Sequence, residues 1–167
     1  MKLIRLAAPI VACVALLSGC AQGPSVVASG QDFTVREAEL EAAYEGCKEV
    51  GLELGPDDRR DVVSNLVHGA AFEAMVDKLD LEVSDEDVRT MLRTNPQAAV
   101  LIQDPRCERV VWGSGILNVV REQVTLEDVQ QFLAEQEIEV NPRYGAWSPE
   151  SLVVEEQSGS LAVKGTR

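Results

Sequence analysis

The residues best suited to covalent chemistry in this chain are four cysteines, Cys13, Cys20, Cys47 and Cys107, and a serine between glycines, Gly113-Ser114-Gly115. The serine is not set as a hydrolase nucleophile. The strained turn that exposes such a serine needs glycine two positions before it, and Trp112 stands there. Its base would have to be His68, the single histidine. His68 falls on a helical stretch near Asn65 and reads as a solvated or core-edge residue. No glycine-rich phosphate loop, metal-ligand spacing or basic stripe is present. The sequence thus offers no catalytic residue, no metal site and no cofactor motif, and an enzyme is not expected. Tyr144 and Trp147 remain as candidate contacts. They form either a lip for a partner or a pair that docks a terminal strand on its own core.

The cysteines divide by position. Lys2 and Arg5 precede an uncharged apolar run, Leu6 to Leu17, and small residues lead into Cys20. That is the layout of a secretory signal peptide, and the run is shorter than the roughly 20 residues a spanning helix needs. The Leu17-Ser18-Gly19-Cys20 end resembles the lipobox of bacterial lipoproteins. The resemblance implies cleavage after residue 19 and acylation of Cys20, with lipid anchoring on the outer face of the cell membrane. Several chains on one residue anchor stably, at about 0.8 kcal/mol per buried methylene. The alternative is an uncleaved signal anchor. Cys13 would leave with the signal, and Cys20 would carry lipid. Cys47 and Cys107 are then one pair in an exported protein and are expected to form a disulfide, or else to lie as two buried free thiols. The bridge would close a loop of about 60 residues, for which chain entropy gives roughly 4 kcal/mol at most. Two thiols and one histidine are too few for a zinc site.

Net charge is −13, and loss of Lys2 and Arg5 with the signal moves it to −15. So acidic a surface argues against nucleic-acid partners and against holding anionic lipid by overall charge. Membrane attachment is left to the acyl chains on Cys20.

The elements that must position these residues are mostly helical. Residues 20–25 read as a tether, Val26-Val27-Ala28 as a short strand and Ser29 to Asp32 as a turn. Thr34 with Glu37 three residues on predicts a capped helix start. Leu40, Ala43, Tyr44 and Cys47 fall on its apolar face, and Gly51 is its stop. Gly55-Pro56-Asp57-Asp58 starts a second helix running to about Leu79, apolar over a wide arc and therefore central. Val83-Ser84-Asp85-Glu86-Asp87-Val88 echoes Val124-Thr125-Leu126-Glu127-Asp128-Val129, each a hydroxyl cap between two valines. Their acids read as helix-start signals and not as catalytic carboxylates. Asn95-Pro96 and Asp104-Pro105 start two more helices. Gly113 and Gly115 inside the last of these predict a kink or a close helix crossing. Ile138 and Val140 alternate as an edge strand ended by Pro142, and residues 148–167 read as a disordered acidic tail.

The early strand and turn, the V-[ST]-x-E-D-V starts and the terminal Ile138-Glu139-Val140-Asn141-Pro142-Arg143-Tyr144-Gly145-Ala146-Trp147 together resemble the SurA N-terminal-like domain of exported bacterial chaperones. The likeness is greatest to short actinobacterial lipoproteins that carry this domain alone. It covers roughly residues 26–147. It implies a mainly α fold, a helical bundle closed by two short terminal β-strands, which shields unfolded or newly exported polypeptides. Relatives usually add a parvulin prolyl-isomerase domain of about a hundred residues. Only 20 residues follow Trp147, so isomerase activity is not implied. The expected function is a membrane-tethered holdase, or alternatively a structural envelope lipoprotein with one dedicated protein partner.

Overall fold

The computed structural model describes residues 25–156 except Asp57. The signal segment, Cys20, most of the tether and residues 157–167 lie outside the described residues. The fold is mainly α, with a few short antiparallel strands.

Strand β1 (Val26–Ser29) lies between β2 (Thr34–Arg36) and β3 (Glu139–Val140), antiparallel to both. An early and a late stretch of the described residues thus meet in one sheet, with Ala28 opposite Val140. Thr34 does not cap the first helix as its spacing predicts. Val35 pairs with Ala28 and is buried at 2% exposure, so residues 34–36 are held extended. Helix α1 (Glu37–Glu49) starts after Arg36, and the carboxylate that reaches back to the Arg36 amide is Glu39, at 2.7 Å. Strand pairing has overridden a local cap.

Helix α2 (Asp58–Lys78) is the central helix. It packs most extensively on α5 (Pro105–Val120), and also meets α1, β1 and β2. Helices α3 (Asp85–Arg93), α4 (Pro96–Leu101) and α6 (Leu126–Glu135) complete the helical end. Their starts follow the sequence signals. Ser84 accepts from the Asp87 amide at 3.2 Å, Asn95 from that of Gln97 at 2.9 Å, and Thr125 from that of Asp128 at 3.2 Å. Asp104 caps α5, accepting from the Arg106 amide at 2.8 Å. Its Arg106 contacts hold the Asp104 carboxyl down at about 2.

The glycines of α5 mark a close crossing. A Cβ on Gly113 would stand 2.8 Å from the Gly69 nitrogen and from the His68 carbonyl carbon, both on the backbone of α2. The small residue lets the two helix axes approach.

Two apolar clusters result. One joins Val27, Val35, Leu40, Val63 and Val67 between the sheet, α1 and α2. The other joins Met75, Val88, Leu92, Trp112, Ile116 and Phe132 among the helices. Gln136, fully buried, ties the end of α6 to the β1–β2 turn. Its amide nitrogen donates to the Asp32 carboxylate at 2.9 Å, and its amide oxygen accepts from the Asp32 backbone at 3.1 Å.

The expected tail boundary moves. Residues 148–156 stay in the fold: β4 (Ala146–Ser148) pairs antiparallel with β5 (Val153–Glu155), and Val154 is buried at 3% exposure. Val153-Val154-Glu155 is a three-residue strand, too short for the alternation of its burial to stand out from the acidic residues around it.

Candidate functional site

Three arrangements bear on function. The first is the covalent seam between α1 and α5. Cys47, on the buried face of α1, is joined to Cys107 in the first turn of α5, with Cα atoms 4.7 Å apart. Both residues are fully buried. Gly46 makes the approach possible. A Cβ there would stand 2.7 Å from the Asp104 carboxylate and 2.8 Å from the Cys107 nitrogen. Gly46 carries a signal of its own in the sequence: a glycine beside a pairing cysteine inside a helix marks such close contact.

The second arrangement is the C-terminal seam, where Tyr144 and Trp147 lie. The Tyr144 hydroxyl donates to the Glu37 carboxylate, with 2.7 Å to each oxygen, and Arg143 pairs with the same carboxylate. Burial, reinforced by Glu37, pushes the Tyr144 phenol up to about 12. Trp147 meets the His68 ring edge-on at 5.6 Å, and His68 stacks on Phe72 at 5.7 Å. The Nε2 atom of His68 lies 2.6 Å from the Leu152 carbonyl oxygen. A carbonyl can only accept, so the neutral ring carries its proton on Nε2. Burial lowers the His68 pKa. The Ser64 hydroxyl accepts from the Val154 amide at 2.8 Å and donates to the Arg60 carbonyl at 3.0 Å. His68 is thus a core-edge residue, and Tyr144 and Trp147 both serve to dock the terminal segment on the helices.

The third arrangement is a cleft of about 300 Å³ where α2, α3 and α5 meet. Val76, Val88, Trp112 and Ile116 line it, with Val83 from the loop before α3. Acids stand around it: Glu73 and Asp77 from α2, and Asp85 from the first turn of α3. Glu73 receives both guanidinium nitrogens of Arg109, at 2.6 and 3.0 Å. The Arg89 guanidinium lies 5.5 Å from the Trp112 ring centre and donates to the buried Glu108 at 2.8 Å. The walls are therefore fixed by paired charges, while Asp77 and Asp85 are exposed to solvent. Helix-start acids such as Asp85 were legible as caps. That they also surround a cleft depends on how α3 crosses α2 and α5, which no local pattern gives.

Among the described residues no group of three or more His, Cys, Asp and Glu side chains converges as a metal site. No helix among them is long and apolar enough to cross a membrane. Cys20 lies outside them. Comparison with known proteins finds no matching family model, curated protein or solved structure.

Proposed function

We propose that this protein is an exported, lipid-anchored binding protein that holds unfolded or newly exported polypeptides. The observation that carries this reading is the cleft over Trp112. Acids rim a shallow floor of Val76 and Val83 over the buried Val88, Trp112 and Ile116, a combination that suits an extended segment presenting a basic side chain beside a small apolar one. The Cys47–Cys107 cross-link supports export, because such bonds persist in oxidising compartments. The pairing of β1 with β3 supports the closed-bundle architecture that the SurA-like resemblance implies. Anchoring rests on the lipobox-like Leu17-Ser18-Gly19-Cys20 alone.

The acylated protein is expected to delay aggregation of a denatured exported protein in proportion to its concentration. The double substitution Asp77→Lys with Asp85→Lys, on exposed positions, is expected to abolish that delay for basic clients while leaving the fold intact. Equal protection by the wild type and the variant would remove the cleft from the function.

A second reading has its own observation. The exposed large apolar residues, Leu52, Leu79, Val100, Leu126 and Val153, sit on separate elements and in loops, and the cleft is small. That suits one dedicated envelope partner inserting one side chain. A single stoichiometric partner on purification from cells is its expected signature.

A further inference from the structure

A second pocket, of about 380 Å³, is lined by arginines, where the cleft is rimmed by acids. Its lining includes Arg59 and Arg60 from the first turn of α2, Arg143 and Tyr144 from the terminal segment, and Glu37 from the start of α1. Three arginines converge here in a chain with only 15 lysines and arginines against 28 acids. Two of them meet acids: Arg143 pairs with Glu37, and Arg59 with Glu41. The Arg60 guanidinium has neither an ion pair nor a hydrogen bond among the described residues, and its residue is half-buried. The pocket wall holds the others in place: Tyr144 donates to Glu37, Arg143 lies 4.7 Å from the Tyr144 ring centre, and Arg59 lies 5.1 Å from that of Tyr44.

Position supplies a second, independent observation. The Glu37 amide donates to the Ser25 carbonyl at 2.8 Å, so the chain enters the fold at the wall of this pocket. Cys20 is five residues upstream of Ser25. Even fully extended, that stretch reaches about 17 Å. Headgroups occupy roughly 5 to 7 Å on each side of the hydrocarbon. A domain anchored through Cys20 therefore keeps this pocket close to lipid phosphates.

We propose that the Arg59–Arg60–Arg143 pocket binds the phosphate of an anionic phospholipid headgroup and so fixes which face of the tethered domain meets the membrane. The proposal rests on the acylated-Cys20 reading above. It makes a local exception to the repulsion expected from the chain's overall charge. A forked guanidinium suits phosphate oxygens, and one basic group near an anionic leaflet strengthens attraction by about fivefold.

The test uses the acylated protein in vesicles of phosphatidylcholine, alone or with a third of phosphatidylglycerol. Phenylglyoxal modifies accessible arginines, and mass spectrometry gives the rate at each one. Arg60 is expected to react about fivefold more slowly in the anionic vesicles, with exposed Arg121 at the end of α5 unchanged. Arg60→Gln is expected to abolish the matching protection of Arg59 and Arg143, while an intact Cys47–Cys107 bond shows that the variant has folded. Equal Arg60 rates in both vesicles would overturn the proposal. So would equal protection by inorganic phosphate in pure phosphatidylcholine, which would mark a site for free phosphate. The same spectra report the Cys20 peptide. An acylated Cys20 with equal Arg60 rates removes the pocket alone, whereas an unmodified Cys20 removes the anchor and the headgroup site together.

Discussion

The strand end and the helical end of this molecule are held by different kinds of contact. At the helical end, α3, α4 and α6 each begin at a cap whose acceptor and amide lie two or three residues apart. At the strand end the ties span the chain: Ala28 pairs with Val140, Cys47 bonds Cys107, and Ser64 holds Val154. Local ties form wherever the sequence carries them. Strand pairing decides the structure even against a cap signal, as Thr34 demonstrates. The cleft belongs to the first region and the arginine pocket to the second.

The largest effect should come from the longest-range covalent tie. Reduction of Cys47–Cys107, or Cys47→Ser with Cys107→Ser, is expected to cost up to about 4 kcal/mol, since the cross-link restricts the unfolded chain. Thermal unfolding measures the loss. Hydrogen exchange should place the loosening at α1 and the start of α5, with α3 and α6 unchanged at low temperature. Uniform loosening would erase the distinction between the two ends.

The helix crossing that joins the two ends comes next. Gly113→Ala puts a methyl against the α2 backbone and is expected to cost about 1 to 3 kcal/mol by urea unfolding. Gly69→Ala is its control. The nearest atom to a Cβ at Gly69 is the Arg109 carbonyl oxygen at 3.6 Å, an ordinary contact, and loss of a mid-helix glycine favours the fold by about 0.5 to 1 kcal/mol. Equal costs for the two would mean that the crossing is looser than it looks.

The two hydroxyl signals give a smaller contrast. Ser84→Ala is expected to cost about 1 kcal/mol, because its oxygen serves the Asp87 amide. Thr34→Ala removes no cap, since Thr34 sits in a strand, and should cost clearly less in the same urea titration. A Thr34→Ala loss as large as that of Ser84→Ala would restore the capped-helix reading of residues 34–37.

Legibility in the sequence divides the same way. Ser84, Asn95, Asp104 and Thr125 announced their helices because a cap is written within a few residues. The Cys47–Cys107 pair was legible from counting and compartment, not from geometry. Residues 34–36 and 153–155 escape a local reading because each strand is three residues long and is held by pairing with a neighbouring strand and by burial of its central valine. Gln136 reads as an ordinary polar residue after a helix, and only the fold shows it buried against Asp32. The cleft and the arginine pocket each combine residues from several elements, so no single motif could have spelled them.

The smallest effect is a pH dependence confined to the C-terminal seam. Burial lowers the His68 pKa below its ordinary value of 6.5. The unfolded chain therefore binds a proton there before the folded one does. Stability from this group is full above pH 6.5 and declines as pH falls below it towards the lowered folded value. His68→Gln should flatten the unfolding midpoint across that window. The acid loss tied to Asp104, held at about 2, should remain below pH 3.8. An unchanged slope in the variant would mean that His68 does not couple the β4–β5 hairpin to α2.

The central claim is that the cleft holds exported polypeptides, and crosslinking from both ends of the molecule in living cells tests it most directly. A photoreactive residue is placed at Val83, beside the cleft, or at exposed Glu45 on α1. The expected result is a broad ladder of adducts with exported chains from position 83 and none from position 45. One discrete adduct from position 83, or the same ladder from both positions, would contradict the claim.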